Sequence, residues 1–328
     1  MNNVSKLHAS ACSKDRWQRL ACAVFLPGAC IALARSFGRG AILPPARGHS
    51  LGSDSTASRV TLSRLADVNA VTAVDKAAYD RQRKAGDRLL ERMRAAPDAW
   101  EQGYYHRPTR AVWVDPFRDF YRCPAGLEKV GALSDGGKWV CGVENLLQRP
   151  GCVIYAVGSN GDASFEKAML EKTKCSVWTF DPTLNEEAQA RVNSVPGLNF
   201  TAVGLADKDG DVEVMGAVRP VRTLETLMRE RGHTWVDLFK MDIEGGEWAV
   251  LDGLIKRGGR PPITQAQIEC HVANPVDAVE TLAELTGLGW RVFHVEENNY
   301  CTSARCHGKL YEISFASTDD EGQVVTGP

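Results

Sequence analysis

A five-residue run, Gly158-Ser159-Asn160-Gly161-Asp162, follows directly on the apolar stretch Cys152–Val157 and is the strongest local candidate for chemistry. Its glycines let the backbone turn sharply and approach a ligand, and the helix expected after it offers free N–H groups. Asp181 stands 23 residues after Gly158, at the end of a second apolar run. A carboxylate at that place can accept hydrogen bonds from both hydroxyls of a ribose. A plain Gly-x-x-Gly bend and a turn-forming Asp-Pro account for the same residues without a ligand. Together they mark a nucleoside site without choosing the cofactor. The segment Asp237–Trp248 narrows the choice: a buried strand ends in Asp242 and Glu244, then a Gly245-Gly246 bend leads into a helix at Glu247. Carboxylates converging there suit a cationic cofactor, or an acceptor hydroxyl that must lose a proton. A nicotinamide enzyme has no need of them, and helix capping is the plain alternative. Glu269 and His271 alternate by two on a further strand, so they face one side. They read as an acid–base pair, as part of a metal site with Asp242, or as structural residues.

The elements that must carry these residues alternate in type. Strands are expected at Cys152–Val157, Ser176–Phe180, Leu198–Val203, Asp211–Met215, Val236–Met241, Thr264–Glu269, Arg291–Val295 and Leu310–Ala316. Helices are expected at Ala163–Lys172, capped by Asp162, and at Arg222–Arg231, Glu247–Lys256 and Val276–Thr286. Strand–helix–strand alternation implies right-handed crossovers and a mostly parallel sheet covered on both faces. The last two strands have no helix between them, so they form a hairpin and the final strand runs antiparallel. The spatial order of the strands cannot be read from the spacing.

Lys240-Met241-Asp242-Ile243-Glu244-Gly245-Gly246-Glu247 resembles the K-x-D-x-E-G-x-E signature of the FkbM-type methyltransferases. Asp135–Cys141, Val153–Asp162 with Ser164-Phe165-Glu166, Thr179–Thr183 and Gln267–His271 resemble the methyltransferase-like protein 24 group more closely. The similarity covers roughly Asp115 to Ser317, with several motifs in order. It implies a Rossmann-like class I methyltransferase: a mostly parallel seven-stranded sheet with an antiparallel terminal strand and helices on both faces. The implied cofactor is S-adenosyl-L-methionine. Gly158, Ser159, Asn160 and Gly161 would hold its methionine end, Asp181 its ribose, and Ala206 and Asp207 would lie near adenine; Glu166 and Asp242 are further cofactor-binding candidates. Asp242 would face the reacting centre, and Asp242, Glu244 and His271 are the catalytic candidates, Asp242 first; no metal is assigned. One departure stands beside the glycine: Ala156-Val157-Gly158 replaces the more usual Ser-Phe-Gly. The resemblance does not supply an acceptor, and a small molecule or a glycan-like hydroxyl is the expectation. The competing expectation is a methyltransferase-fold scaffold without catalysis.

Length and charge set the frame. A chain of 328 residues with net charge −2 carries no long basic stripe, which disfavours a nucleic-acid partner. The first fifty residues hold one acid, Asp15, against seven Lys and Arg, and Leu20–Ala34 is an unbroken apolar run. As a helix it would rise about 22 Å, short of a hydrocarbon core of roughly 30 Å. Residues 1–37 are therefore expected to be a signal anchor or targeting segment, with an organelle transit peptide as the alternative. Residues 38–100 are expected to be a linker and a charged helix, either a stalk or a helix lying on the domain surface. The methyltransferase domain is expected over 101–328, in a membrane or secretory-lumen protein. Seven of ten cysteines lie beyond residue 100. Cys152 opens the first strand and Cys175 immediately precedes the second; in the fold that the resemblance implies those strands are parallel neighbours, so the two are expected to pair, with Cys141 competing for Cys152. Cys301–Cys306 and Cys123–Cys141 are further pairings, and all would fit an oxidising compartment. No Cys-x-x-Cys zinc set is present.

Overall fold

The computed structural model describes residues 76–95, 114, 117, 121–133, 136–214, 216–298, 310–320 and 322–328. The apolar run at residues 20–34 and the Cys301–Cys306 pair lie outside them. Among the described residues no helix is long and apolar enough to cross a membrane. Lys76–Ala95 forms the charged helix α1. An ion pair of 2.5 Å joins its Arg94 to Glu280 on the later helix Pro275–Gly287.

Leu127–Val130 (β1) and Lys138–Cys141 (β2) pair antiparallel as a hairpin, followed by the short helix Val143–Gln148 (α2). Val153–Val157 (β3) is buried at every position, as expected of a central strand covered on both faces. It leads into Ser164–Lys172 (α3), whose Phe165, Glu166 and Met169 turn inward. Ser176–Phe180 (β4), the helix Glu186–Asn193 (α4) and Leu198–Thr201 (β5) complete one half. Gly204–Leu205 (β6), Gly210–Val214 (β7) and Ala217–Arg222 (β8) make a small separate sheet. Leu224–Arg231 (α5) is capped by Thr223 at its start, and Gly232 at φ 71 closes it in the left-handed region. Val236–Met241 (β9), Glu247–Arg257 (α6), Ile263–His271 (β10) and Pro275–Gly287 (α7) follow. The hairpin Trp290–Glu297 (β11) and Leu310–Ser317 (β12) ends the sheet.

The seven-stranded sheet has the order β11-β12-β10-β9-β3-β4-β5. The final strand is antiparallel to both neighbours, as expected. It does not take an edge, however, but slots between β10 and β11. The strand order reverses between β3 and β9, which are parallel neighbours, and ligands in such sheets lie beyond the carboxyl ends of the strands there. On one face Ile154, Val177, Leu238, Phe165, Met169, Val130 and Val140 build a dry core beneath the hairpin and α3. Asp162 does not occupy the cap position of α3: Ala163 does, and Asp162 accepts from Ser164 N at 2.8 Å as the residue before it.

Among the described residues two disulfides form, Cys152–Cys175 and Cys123–Cys141. The first joins the residues that open β3 and β4 at the lower edge of the sheet. The second takes Cys141 for the hairpin, so it does not compete for Cys152. Cys270 stays a free, buried thiol. Closing a loop with a sequence separation of 23 restricts the unfolded chain, so replacing Cys152 and Cys175 by Ala should lower stability by about 3 kcal/mol in denaturant titration. Non-reducing peptide mapping should recover both pairs.

Candidate active site

Two loops meet at the carboxyl ends of β3 and β9. Asp242 N donates to Val157 O at 2.9 Å, and Gly158 N donates to Phe180 O at 2.9 Å. A Cβ on Gly158, at φ 81, would sit 1.6 Å from the Asp242 carbonyl oxygen. Only glycine lets the two backbones lie so close. Lys240, buried in β9, sends its ammonium to Gly158 O and so ties the same loop from below. Among the described residues the non-glycine positions at positive φ are Asn160 (48°) and Glu244 (57°), one in each loop. Backbone strain gathers where side chains must be aimed.

Asp181 is 2% exposed and organises the first loop. One carboxylate oxygen accepts from Ser159 N (2.9 Å), Asn160 N (2.9 Å) and Ser159 Oγ (3.2 Å). The other accepts from Thr183 N (2.9 Å) and Thr183 Oγ1 (2.6 Å). Burial alone would raise its pKa, but these donors outweigh it and hold the carboxyl below its usual range. The acid named from its place after a strand is thus, first, the clamp of the glycine loop. Glu166 is wholly buried, and both of its carboxylate oxygens lack a protein partner. Burial pushes its pKa up, with Lys240 opposing.

The second loop presents Asp242, partly open, beside a row of acids on adjoining strands. Glu269 and Glu312 are directly paired across β10 and β12. Lys138, 1% exposed, reaches into that row from β2, with Nζ 2.6 Å from Glu312 Oε1 and 3.2 Å from Asp242 Oδ2. Burial would raise the Asp242 carboxyl, but Lys138 and Lys240 hold it low. Burial and a hydrogen bond to Asp242 push Glu269 high, so the two carboxyls titrate as a pair. Asn298 Nδ2 holds the other oxygen of Glu269 at 2.6 Å.

His271 ends β10 among carboxylates: Nε2 is 3.3 Å from Glu244 Oε2 and 3.8 Å from Glu269 Oε2, and Nδ1 is 3.3 Å from Glu247 Oε1. Burial would lower its pKa, but Glu244 and Glu247 raise it to about 11. The ring is an imidazolium at neutral pH and a proton donor rather than a base. Glu247 is itself fixed, accepting from Ile243 N and Gly245 N. Asp242, Glu244 and Glu269 each bring an oxygen within 4.8 Å of the others, a spacing compatible with a metal ion. The buried Lys138 ammonium already supplies a cation against Asp242.

The structure therefore brings Ser159 and Asn160 to Asp181 through backbone bonds to its carboxylate, with Gly158 held to Phe180 O beside them, and Asp242, Glu244 and His271 into one cleft with Glu269. Ala206 N bonds Arg222 O, and Asp207 lies against Gly253 of α6. Gly204, just before them, packs on Pro182 beside Asp181. Lys138, Glu312 and Asn298 were not singled out from the sequence. A lysine in a run of apolar residues was a visible signal at Lys240; for Lys138 the partners lie more than a hundred residues away.

A family model described as a methyltransferase domain matches residues 76–315. The chain belongs to that methyltransferase family. Its fold is the Rossmann-like class I methyltransferase fold, and its cofactor is S-adenosylmethionine. Among curated relatives, the rat probable methyltransferase-like protein 24 is 25% identical over 165 residues, 47% of this chain and 45% of the relative. The human protein of the same name is 28% identical over 127 residues, 38% of this chain and 34% of the relative. The chain thus matches less than half the length of either. Among solved structures, the fibrillarin pre-rRNA processing protein of Methanococcus jannaschii aligns at TM-score 0.35 and 10% identity, over 61% of this chain and 73% of that one. The N-methyltransferase NodS of Bradyrhizobium japonicum, solved with S-adenosylhomocysteine, aligns at TM-score 0.30 and 9% identity, over 54% and 84%. The residues of this methyltransferase fit its cofactor on one observation above all: Glu166 is a buried carboxylate with no partner in the protein, next to a glycine loop with no room for a side chain.

The folded His271 has the raised pKa, so its stabilisation is complete below the unfolded value of about 6.5 and is lost as pH rises toward about 11. The stability gap between this methyltransferase and its His271→Gln variant should narrow steadily from about pH 7 to about pH 11. A gap that is constant across the range would show that His271 is not held as a cation.

Proposed function

We propose that the enzyme transfers the methyl group of S-adenosylmethionine to a hydroxyl of a small or glycan-like acceptor, in the cleft between Asp242 and His271. When bound, the cofactor supplies an electrophilic methyl on a sulfonium. The glycine loop, pre-set by Asp181, offers its backbone and the start of α3 to the methionine end, and Glu166 offers a carboxylate to the ammonium there. The five bonds on Asp181 mean that its contribution to binding comes through loop order as well as ribose contact. Asp242, ionised and partly open, faces the positive centre and receives the acceptor proton. Although held at low pKa, it suffices as a base if the proton leaves only as the new carbon–oxygen bond forms, when the hydroxyl becomes strongly acidic. Holding donor and acceptor in line provides much of the remaining rate. Imidazolium His271 orients the acceptor oxygen. The observation that carries the reading is the convergence of the Asp181-clamped glycine loop with ionised Asp242 at adjacent strand ends. The two disulfides support maturation in an oxidising lumen, in keeping with the basic and apolar N-terminus.

Calorimetric titration of the full chain with S-adenosylmethionine should give binding that weakens at least about 30-fold in Asp181→Ala, since two charge-assisted bonds are worth roughly 2 kcal/mol or more. Equal affinity in the two proteins would remove Asp181 from the cofactor site. Asp242→Asn should release no S-adenosylhomocysteine with any acceptor the wild type methylates, while its far-ultraviolet dichroism stays native. Full turnover in that variant would take Asp242 out of the mechanism.

A further inference from the structure

Asp242, Glu269 and Glu312 lie side by side on β9, β10 and β12, with Glu269 and Glu312 almost wholly buried. Three neighbouring acids cannot all stay ionised away from water, because each raises the pKa of the others. The arrangement leaves open which of them keeps its charge. Lys138 brings a buried cation to two of them, 2.6 Å from Glu312 and 3.2 Å from Asp242. Its ammonium is buried between Glu312 and Asp242, and Asp242, the most exposed of the three at 18%, is the one at the cleft.

The arm that carries Lys138 is fixed on both sides of it. Gln265 of β10 bonds Cys141 twice, Nε2 to its carbonyl at 2.7 Å and Oε1 from its N–H at 3.0 Å. Ser314 Oγ donates to Trp139 O, and Trp139 Nε1 donates to Glu296 at 2.7 Å. Lys129 on β1 binds the same Glu296, and the Cys123–Cys141 disulfide anchors the end of β2. A buried lysine loses freedom and hydration that only a well-defined set of anions can offset. So tight a mounting for one ammonium is more than the fold of a two-stranded hairpin requires.

We propose that Lys138 is a positioning residue that keeps Asp242 ionised and aimed at the sulfonium of the methyl donor, with the β1–β2 hairpin as its mount. The proposal rests on the reading of Asp242 as the donor-facing carboxylate. Lys138 touches neither donor nor acceptor; it acts through Asp242. The groups that face Asp242 are Lys138 from β2, Lys240 from β9 and Glu269 from β10, with Glu312 from β12 reaching it through Lys138. Glu244 and His271 complete the cleft. Lys240 is committed to Gly158 O, so it does not replace Lys138 when that ammonium is removed.

The test needs no acceptor. S-adenosylmethionine carries the sulfonium charge and S-adenosylhomocysteine lacks it, so the ratio of their affinities reads the charge that Asp242 presents. Calorimetry on the full chain from about pH 8 to about pH 5 should give a flat ratio for the wild type and for Lys138→Arg. In Lys138→Met the buried carboxylates lose the ammonium that opposes their burial, Asp242 takes up its proton several pH units higher, and the ratio should fall about 10-fold over that range. Should Lys138→Met fail to fold, the pair Lys138→Met with Glu312→Gln removes one charge of each sign and should show the same fall. A wild-type preference for the sulfonium with a flat profile in these variants overturns the proposal alone. A wild type that binds both ligands equally overturns the donor-facing role of Asp242, and this proposal with it.

Discussion

Gly158 lies so close to the carbonyl of Asp242 that no side chain fits between them. It fixes the ends of β3 and β9 against each other and forces the glycine loop to turn over the strand that carries the cleft acid. Everything functional is hung from that contact. Asp181 can gather Ser159 and Asn160 because the loop has already been bent, and Lys240 can reach Gly158 O because the two strands are in register. The strained Asn160 and Glu244 lie in the two loops that this contact joins.

Above the dry core the sheet changes character within one layer. Ile154, Val177 and Leu238 give way to Thr179, Lys240 and Gln267, and then to Asp181, Asp242 and Glu269. Burying so many polar groups is costly unless they are paired. Most are: Asp181 by backbone donors, Glu312 and Asp242 by Lys138, Glu269 by Asn298 and a hydrogen bond to Asp242. Glu166, Gln267 and Thr179 are exceptions, their side-chain polar atoms having no hydrogen-bond partner. Glu166 follows the glycine loop by five residues, where a ligand with an ammonium group offsets the cost. The same pairing explains why the cleft holds a cationic His271, a Glu269 of raised pKa and an Asp242 of lowered pKa side by side. Each state is set by what lies beside it, and none by the residue type.

The hairpin and the two disulfides serve the lower and outer parts of this design. Cys152–Cys175 closes the base of the two strands that carry the glycine loop and Asp181. Cys123–Cys141 secures the mount of Lys138. The small sheet of β6, β7 and β8 stands apart from the large one, and its first strand follows the Pro182 contact that borders Asp181.

By itself the sequence determined what is local. The β-branched run of β3, the turn after it, the carboxylate at the end of β4 and the Asp242–Glu247 stretch could each be read because a strand's burial and a loop's chemistry are written in adjacent residues. The absence of a helix between β11 and β12 likewise gave the antiparallel last strand. The helix α4, the hairpin β1–β2 and the strand β8 were not legible, since their apolar signal is weak or their segments are short. Only the tertiary structure decided the strand order, the place of β12 inside the sheet, and the pairing of Lys138 with Asp242 and Glu312. It also decided that His271 is a cation and that Asp181 is a clamp. Charge states and strand order depend on neighbours brought together from distant parts of the chain, and spacing along the chain does not encode those distances.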